Sequence, residues 1–353
     1  RGDRDVAGDV GAGVGDEHLR AVDHPLAAVQ PRGLAAIEAR LEKGAGIGVA
    51  AASPLGSSRM PRNSPLPLTK APTGGADAES RLRDSAHAHG LDAYRKLHDI
   101  NVSYSGEWRP LVNRIQPEVV DAGFRGSSQE RLMPGAGIVA QAYTGPMGRK
   151  QVVWRRGSRM PDRPGEVSVW FNGERSNDES AQNAAALVAE GYGLFLLGPL
   201  WLVDRGLAMQ MGGTERVDGR ICDVVDVWLS PGLGRVATDR VALCIDRTDR
   251  FVRRMRFTLE GFVNTRGAVA EVDTFEHERR FGVVWPMRSF ERIVHPVSLP
   301  AHDWRVTGLD VNRGYETDNV TGGSFQGAAA APAASVSAST TGPATAAGSG
   351  AAG

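Results

Sequence analysis

The sequence predicts an α+β protein: a curved antiparallel β-sheet of about nine to twelve strands, shaped as a half-barrel and covered by a few helices. Disordered termini are expected on either side. Three observations carry this reading. All 22 Phe, Tyr and Trp residues lie between Tyr94 and Phe325, so only the middle of the 353-residue chain can pack a core. Strand-like segments recur at regular spacing after Met211, joined by short turns, as in an antiparallel meander. Two amphipathic or Ala/Leu-rich stretches precede that meander and read as covering helices.

From the N-terminus, residues 1–77 form an extension in which only Pro31–Lys43 has a helical pattern, with Pro31 at its start and Gly44 after its end. Met60 is the first Met and a candidate for the true start. The folded domain is expected over residues 78–322. It opens with a helix over Ala78–Leu97, where Leu82, Ala86, Ala93, Tyr94 and Leu97 recur at helical spacing and Gly90 breaks or kinks the run. Strands begin near Ile100. Glu166–Phe171 ends at Asn172-Gly173, a hairpin turn signal. A second helix is expected from Asp178 to Ala189, capped by Asp178 or Ser180.

Six strands follow, at Arg220–Leu229, Thr238–Arg247, Phe251–Leu259, Val269–His277, Trp285–Val294 and Asp303–Val311. In the third of these, Phe251, Met255, Phe257 and Leu259 alternate with Arg254, Arg256 and Thr258, so one face is buried and one is wet. From residue 323 the chain is nearly all Ala, Ser, Thr, Gly and Pro, a composition that cannot bury a core.

Charge and motifs narrow the function classes. The formal net charge is +0 and the basic residues are 37 Arg and four Lys, without the basic field of a nucleic-acid partner. The most apolar run, Gly191–Val203, is too short to span a bilayer as a helix. No signal-peptide pattern is visible in the first 25 residues. The glycine clusters Gly11–Gly15 and Gly44–Gly48 lack the Lys-Ser/Thr of a phosphate loop. No Gly-x-Ser-x-Gly, Cys-x-x-Cys or His-x-x-x-His occurs, and His87 and His89 point to different helix faces. Asp223 and Asp226, three apart on a strand, face opposite sides. No catalytic residue, metal or cofactor is therefore expected.

Two features remain. Cys222 and Cys244 fall in adjacent strands, and a hairpin pivoting on Leu233 sets them opposite each other as a candidate disulfide; the alternative is two small buried thiols filling the sheet. Leu194, Phe195, Leu196, Leu197, Leu200, Trp201 and Leu202 crowd around Pro199 outside any strand pattern. They either plug the core or form the lid of an apolar ligand cavity, to which Trp108, Trp154 and Trp170 would add wall.

The order of elements resembles the LolA/LolB-like lipoprotein-carrier superfamily of bacterial outer-membrane lipoprotein-sorting-like proteins. The resemblance rests on Gly90–Leu97 leading into Ile100–Tyr104, on Glu215–Asp226, on Leu243–Arg254, and on Phe281–Pro286, and it covers about residues 80–312. It implies a half-barrel enclosing an apolar cavity that holds a lipid or lipoprotein acyl chain, without enzymatic activity. It also implies the periplasm or cell envelope; a monomer with possible peripheral contact to a membrane or membrane proteins is expected. The chain departs from the group in its long tails and in lacking a lipobox cysteine. Two other readings stay open: an envelope interaction module with a filled core, and an enzyme of unknown class using the same cleft.

Overall fold

The computed structural model describes residues 75–159, 162–163, 165–259, 261–262, 265–323 and 330–332. The helix expected at Pro31–Lys43, both glycine clusters and Met60 lie outside the described residues.

Helix α1 (Ala76–His89) buries Ala78, Leu82, Ser85, Ala86 and His89, the stripe expected of an amphipathic helix. It stops at Gly90, whose φ of +96° is open to glycine without strain; its N–H closes the helix on the His87 carbonyl. The short α2 (Leu91–Tyr94) follows. The break expected at Gly90 is therefore present. Next come β1 (Ile100–Trp108), the short helices α3 (Pro110–Ile115) and α4 (Pro117–Val120), and β2 (Ser127–Met133). Each short helix has Pro in its first turn, where the missing N–H costs nothing. Strands β3 (Ile138–Gly145), β4 (Gly148–Arg155), the two-residue pair β5 (Ser158–Arg159) and β6 (Asp162–Arg163), β7 (Glu166–Phe171) and β8 (Glu174–Ser176) complete the first half. The β7–β8 turn is the expected Asn172-Gly173, both with positive φ.

Helix α5 (Glu179–Leu197) is capped by Asp178, which accepts the Ser180 N–H. The second half is the meander β9 (Ala208–Val217), β10 (Arg220–Leu229), β11 (Asp239–Asp246), β12 (Val252–Thr258), β13 (Val269–Arg280), β14 (Val283–His295) and β15 (Leu299–Val311), followed by α6 (Thr317–Val320).

Thirteen of the strands form one antiparallel sheet, in the order β8-β7-β4-β3-β2-β1-β15-β14-β13-β12-β11-β10-β9. The first strand pairs with the last, from Ile100 opposite Val311 to Trp108 opposite His302, and so joins the two halves. The count exceeds the expected nine to twelve. The additional strands, such as β9 with its sequence AMQMGGTERV and the three-residue β8, have no clean apolar alternation to announce them.

One face of the sheet is apolar and carries the main core. Its rows run Ile100, Leu132, Val139, Trp154 through the first half and Val225, Leu243, Met255, Val272 through the second, and α5 lies against them. The opposite face is not simply wet. Arg254, Arg256 and Arg292 interleave with Glu215, Glu271 and Asp273 across β9, β12, β13 and β14, and Glu271 and Asp273 are buried. Thr258, expected on the wet side, is also buried and donates to Asp239 at 2.7 Å. A bulge in the β11–β12 ladder turns Val252 inward, leaving Phe251 outside the strand, against His89 and His277.

Under the ionic layer lies a small cluster of Val217, Cys222, Val224, Ala242 and Cys244. The two cysteines are free, which corrects the candidate disulfide. The hairpin pivots one residue later than expected, so Cys222 faces Asp246 and Cys244 faces Val224. The thiols are diagonal neighbours, and such pairs sit about 7–8 Å apart, beyond disulfide reach. Burial pushes the Cys222 thiol up to about 11 and Cys244 higher still, so both remain protonated packing groups.

After β15 the chain crosses the outer face. Asp99 accepts the N–H groups of Arg313, Gly314 and Tyr315, and Arg131 stacks on Tyr315 with 4.2 Å between guanidinium and ring centre. Ala330–Pro332, in the segment expected to be a tail, pairs with β15 through Gly308 and Leu309.

Gly90 and Gly173 supply a comparison. A Cβ at Gly90 would fall 2.2 Å from the Gly282 carbonyl oxygen, whereas one at Gly173 would meet nothing within 4 Å. Gly173→Ala should cost about 1 kcal/mol, the strain of positive φ alone, and Gly90→Ala about 3 kcal/mol or more. Urea midpoints of the two variants check the order.

Candidate functional site

The apolar face is closed by α5, whose residues from Ala184 to Leu197 are all buried except the half-buried Leu187. The helix runs eight residues past its expected end at Ala189. Gly191 and Gly193 cost the helix about 1 kcal/mol each against Ala. Here burial of the following Leu-Phe-Leu-Leu run outweighs that cost, and Gly193 leaves room for the Trp201 ring, 3.3 Å from where a Cβ would sit. Through Trp201 this stretch is long and apolar enough to cross a membrane by length and composition; 94% of its most apolar 18-residue window is buried inside the fold.

The expected lid is thus the last turn of a helix and one 3-10 turn, Gly198–Trp201. Leu194, Leu196, Leu197, Leu200, Trp201 and Leu202 are core residues, none more than 4% exposed. Trp154 joins the same core, and Arg156 stacks over Trp201 at 4.5 Å. Trp170 lies on the opposite face. In β7, Val167, Val169 and Phe171 point to the core, and Trp170 packs beside Gly323 of the C-terminal crossing.

Beside α5 there is a partly open apolar cavity of about 70 Å³, lined by α3, α4, α5 and the ends of β1, β12, β14 and β15. Trp108, Tyr192, Phe195, Phe257 and Phe262 provide its aromatic wall, and Glu291 also lines it. Of the residues singled out from sequence, Trp108 and Phe195 reach this cavity. A second, more polar pocket of about 210 Å³ adjoins it across Leu187, Leu259 and Phe262.

At the Trp108–Tyr192 end of the cavity the interior turns polar. Trp108 stacks on His302 at 4.1 Å with an interplanar angle of 8°, and the Tyr192 hydroxyl shares a 3.0 Å hydrogen bond with His302 Nδ1. Arg125 places its guanidinium 4.8 Å from the Tyr143 ring centre, 5.7 Å from Trp108 and 6.0 Å from Tyr192. One strand further, Gln141 Nε2 donates to Glu130 Oε1 at 2.5 Å, both side chains fully enclosed. Burial holds the Glu130 carboxyl up to about 8 and Glu291 up to about 7. Burial pushes His302 well below the ordinary imidazole value.

A third buried carboxyl, Glu190 of α5, accepts the Gly234 N–H at 2.9 Å and sits 3.4 Å from Arg205; burial raises it to about 7. Among the described residues no group of three or more His, Cys, Asp or Glu could hold a metal ion.

These polar residues were missed in the sequence. In β2, SSQERLM shows no apolar alternation, so nothing tells that Glu130 faces inward; only its register against Val102 and Gln141 does. Glu190 did leave a signal, as the one acid within the apolar run of its helix.

No protein-family model and no curated protein matches the chain. Several solved structures are similar in fold. A DUF1329 family protein from Desulfovibrio piger is 10% identical with a TM-score of 0.43, over 68% of this chain and 95% of that one. A LolA superfamily protein from Nitrosomonas europaea is 11% identical with a TM-score of 0.38, over 69% and 97%. The lipoprotein LppX of Mycobacterium tuberculosis is 16% identical with a TM-score of 0.24, over 53% and 91%. At these identities and TM-scores the three structures carry no argument about function.

The buried carboxyls and histidines fix a pH profile. Glu130, Glu190 and Glu291 have folded pKa values above the ordinary carboxylate value, so the folded state binds more protons and gains stability as pH falls from about 8 toward 6.5. His89 (about 4), His277 (about 3) and His302 are depressed by burial, so below about 6.5 they withdraw stability as pH falls. Thermal unfolding should show the midpoint rising from pH 8 to 6.5 and levelling below. Glu130→Gln should flatten the rise, at about 1.4 kcal/mol per pH unit for a fully linked group.

Proposed function

We propose that the protein binds the acyl chain of a lipid or lipoprotein on the concave face of its sheet, without enzymatic activity, in the periplasm or cell envelope. The observation that carries this reading is the aromatic-walled cavity between α5 and the sheet, at the place where the sequence resemblance puts a ligand. Burial of one CH₂ group there contributes about 0.8 kcal/mol, so a chain of moderate length can be held by apolar contact alone.

At about 70 Å³ the cavity is smaller than the roughly 150 Å³ that admits benzene in an engineered protein core. An acyl chain therefore enters by displacing side chains, with Leu187, Leu259 and Phe262 the residues shared between the cavity and the neighbouring pocket. The same small volume favours a second reading, an envelope interaction module whose core is already filled.

Gly191 separates the two readings. It lines the cavity from within α5, and a Cβ there would touch only Phe195, at 3.5 Å. Gly191→Leu improves helix propensity while occupying the ligand's space. Native mass spectrometry with lipid extraction should find acyl lipid on the unaltered protein, and at least tenfold less on Gly191→Leu with its fold intact. Unaltered protein that carries no lipid and takes up no apolar fluorescent probe would establish the filled-core module instead.

A further inference from the structure

The polar end of the cavity holds groups that the fold satisfies only in part. Arg125 makes none of the ion pairs found among the described residues; its guanidinium hydrogen-bonds the Tyr192 side chain, but its Nε is buried without a partner. The carboxylates around it are otherwise engaged or uncharged. Asp121 is bound by Lys150, Glu130 by Gln141, and burial raises Glu130 to about 8 and Glu291 to about 7, so both are largely protonated at pH 6. The hydroxyls of Tyr104 and Tyr143 are likewise buried and unpartnered, in side chains 8% and 2% exposed. Tyr143 lies under the guanidinium, and Tyr104 packs edge-on against Tyr192 with 5.4 Å between ring centres.

A guanidinium removed from water without a counter-charge is costly, and native proteins pair such groups. A cation and two hydroxyl donors, gathered behind the Trp108–Tyr192 end of an apolar cavity, form the recognition set for an anion attached to an apolar chain. The geometry points to an anionic amphiphile as the ligand: a single acyl chain in the Phe195–Phe257 cavity, with its carboxylate or phosphate head seated on Arg125 and the Tyr104 and Tyr143 hydroxyls. This rests on the acyl-chain reading above and adds the chemistry of the head. The three aromatic rings around the guanidinium hold it in place through cation–π contact, so the site is ordered before the anion arrives.

The test compares a fluorescent polyunsaturated C18 fatty acid with its methyl ester, which has the same chain and no charge. At pH 6, where the Glu130 and Glu291 carboxyls are both protonated and the fatty acid is ionised, the full chain should bind the acid at least tenfold more tightly than the ester. Arg125→Met should reduce the acid to the affinity of the ester and leave ester binding unchanged, which also shows that the variant is folded. Arg125→Lys should keep part of the preference. Competition with a C18 lysophosphatidic acid distinguishes a phosphate head from a carboxylate, the tighter of the two naming the source. Equal affinity of the unaltered protein for acid and ester overturns the anionic head while leaving the acyl-chain reading standing, as does a preference that survives Arg125→Met. Binding of neither probe sinks both.

Discussion

Everything in this fold depends on the contact between α5 and the concave face of the sheet. A sheet of thirteen strands exposes far more apolar surface on one side than its own curvature can hide. One 19-residue helix, apolar nearly all round, fills that hollow. It is held by polar contacts at its start and its middle. Asp178 caps the start, and Glu190, in the middle, is tied to the Gly234 backbone and Arg205. The cavity exists because this helix packs closely at its C-terminal end, around Leu194, Leu197 and Trp201, and less closely beside Gly191, where a missing side chain faces Phe195.

The two faces of the sheet solve opposite problems. The concave face gains from burial of large side chains and accepts a few polar ones at a cost, with Glu130, Gln141, Arg125 and His302 gathered on one side. The outer face is built from arginines and carboxylates in adjacent strands, with Arg254 reaching Glu215, Glu271 and Asp273 together. Single exposed ion pairs contribute little, but shared, half-buried networks order their members. This one covers two cysteines and three small apolar residues that would otherwise be a second exposed core.

Much of the architecture was legible because it follows from short-range rules. Strand β10 begins and ends where its alternation does, the break at Gly90 needs only a glycine at a helix end, and Asn172-Gly173 declares its turn. The site was less legible. Trp108 and Phe195 were recognised as apolar groups near a cleft, and they do line it. Trp170 was not separable from them, since which side of a strand faces the core depends on a register that the sequence of β7 does not specify. The polar cluster is a product of long-range pairing: Arg125, Tyr192 and His302 are distant along the chain and meet only once β1 and β15 lie side by side. The cysteine pair shows how narrow the margin is, one residue of hairpin pivot deciding between opposed and diagonal thiols.

The sheet is not closed on itself. Its outermost strands are β8, only three residues long, and β9, which carries an irregularity around Gly212 and Gly213 that interrupts its ladder with β10. Such endings discourage further strands from adding on. They have a mechanical effect as well. A closed barrel fixes its radius through strand number and stagger, so its interior can grow only if hydrogen bonds break. An open sheet distributes a change of curvature as small increments of twist over twelve ladders, with every backbone bond kept. The hollow beneath α5 is therefore bounded by an elastic wall, and its capacity is set by how far the two rims move apart rather than by the space present at rest.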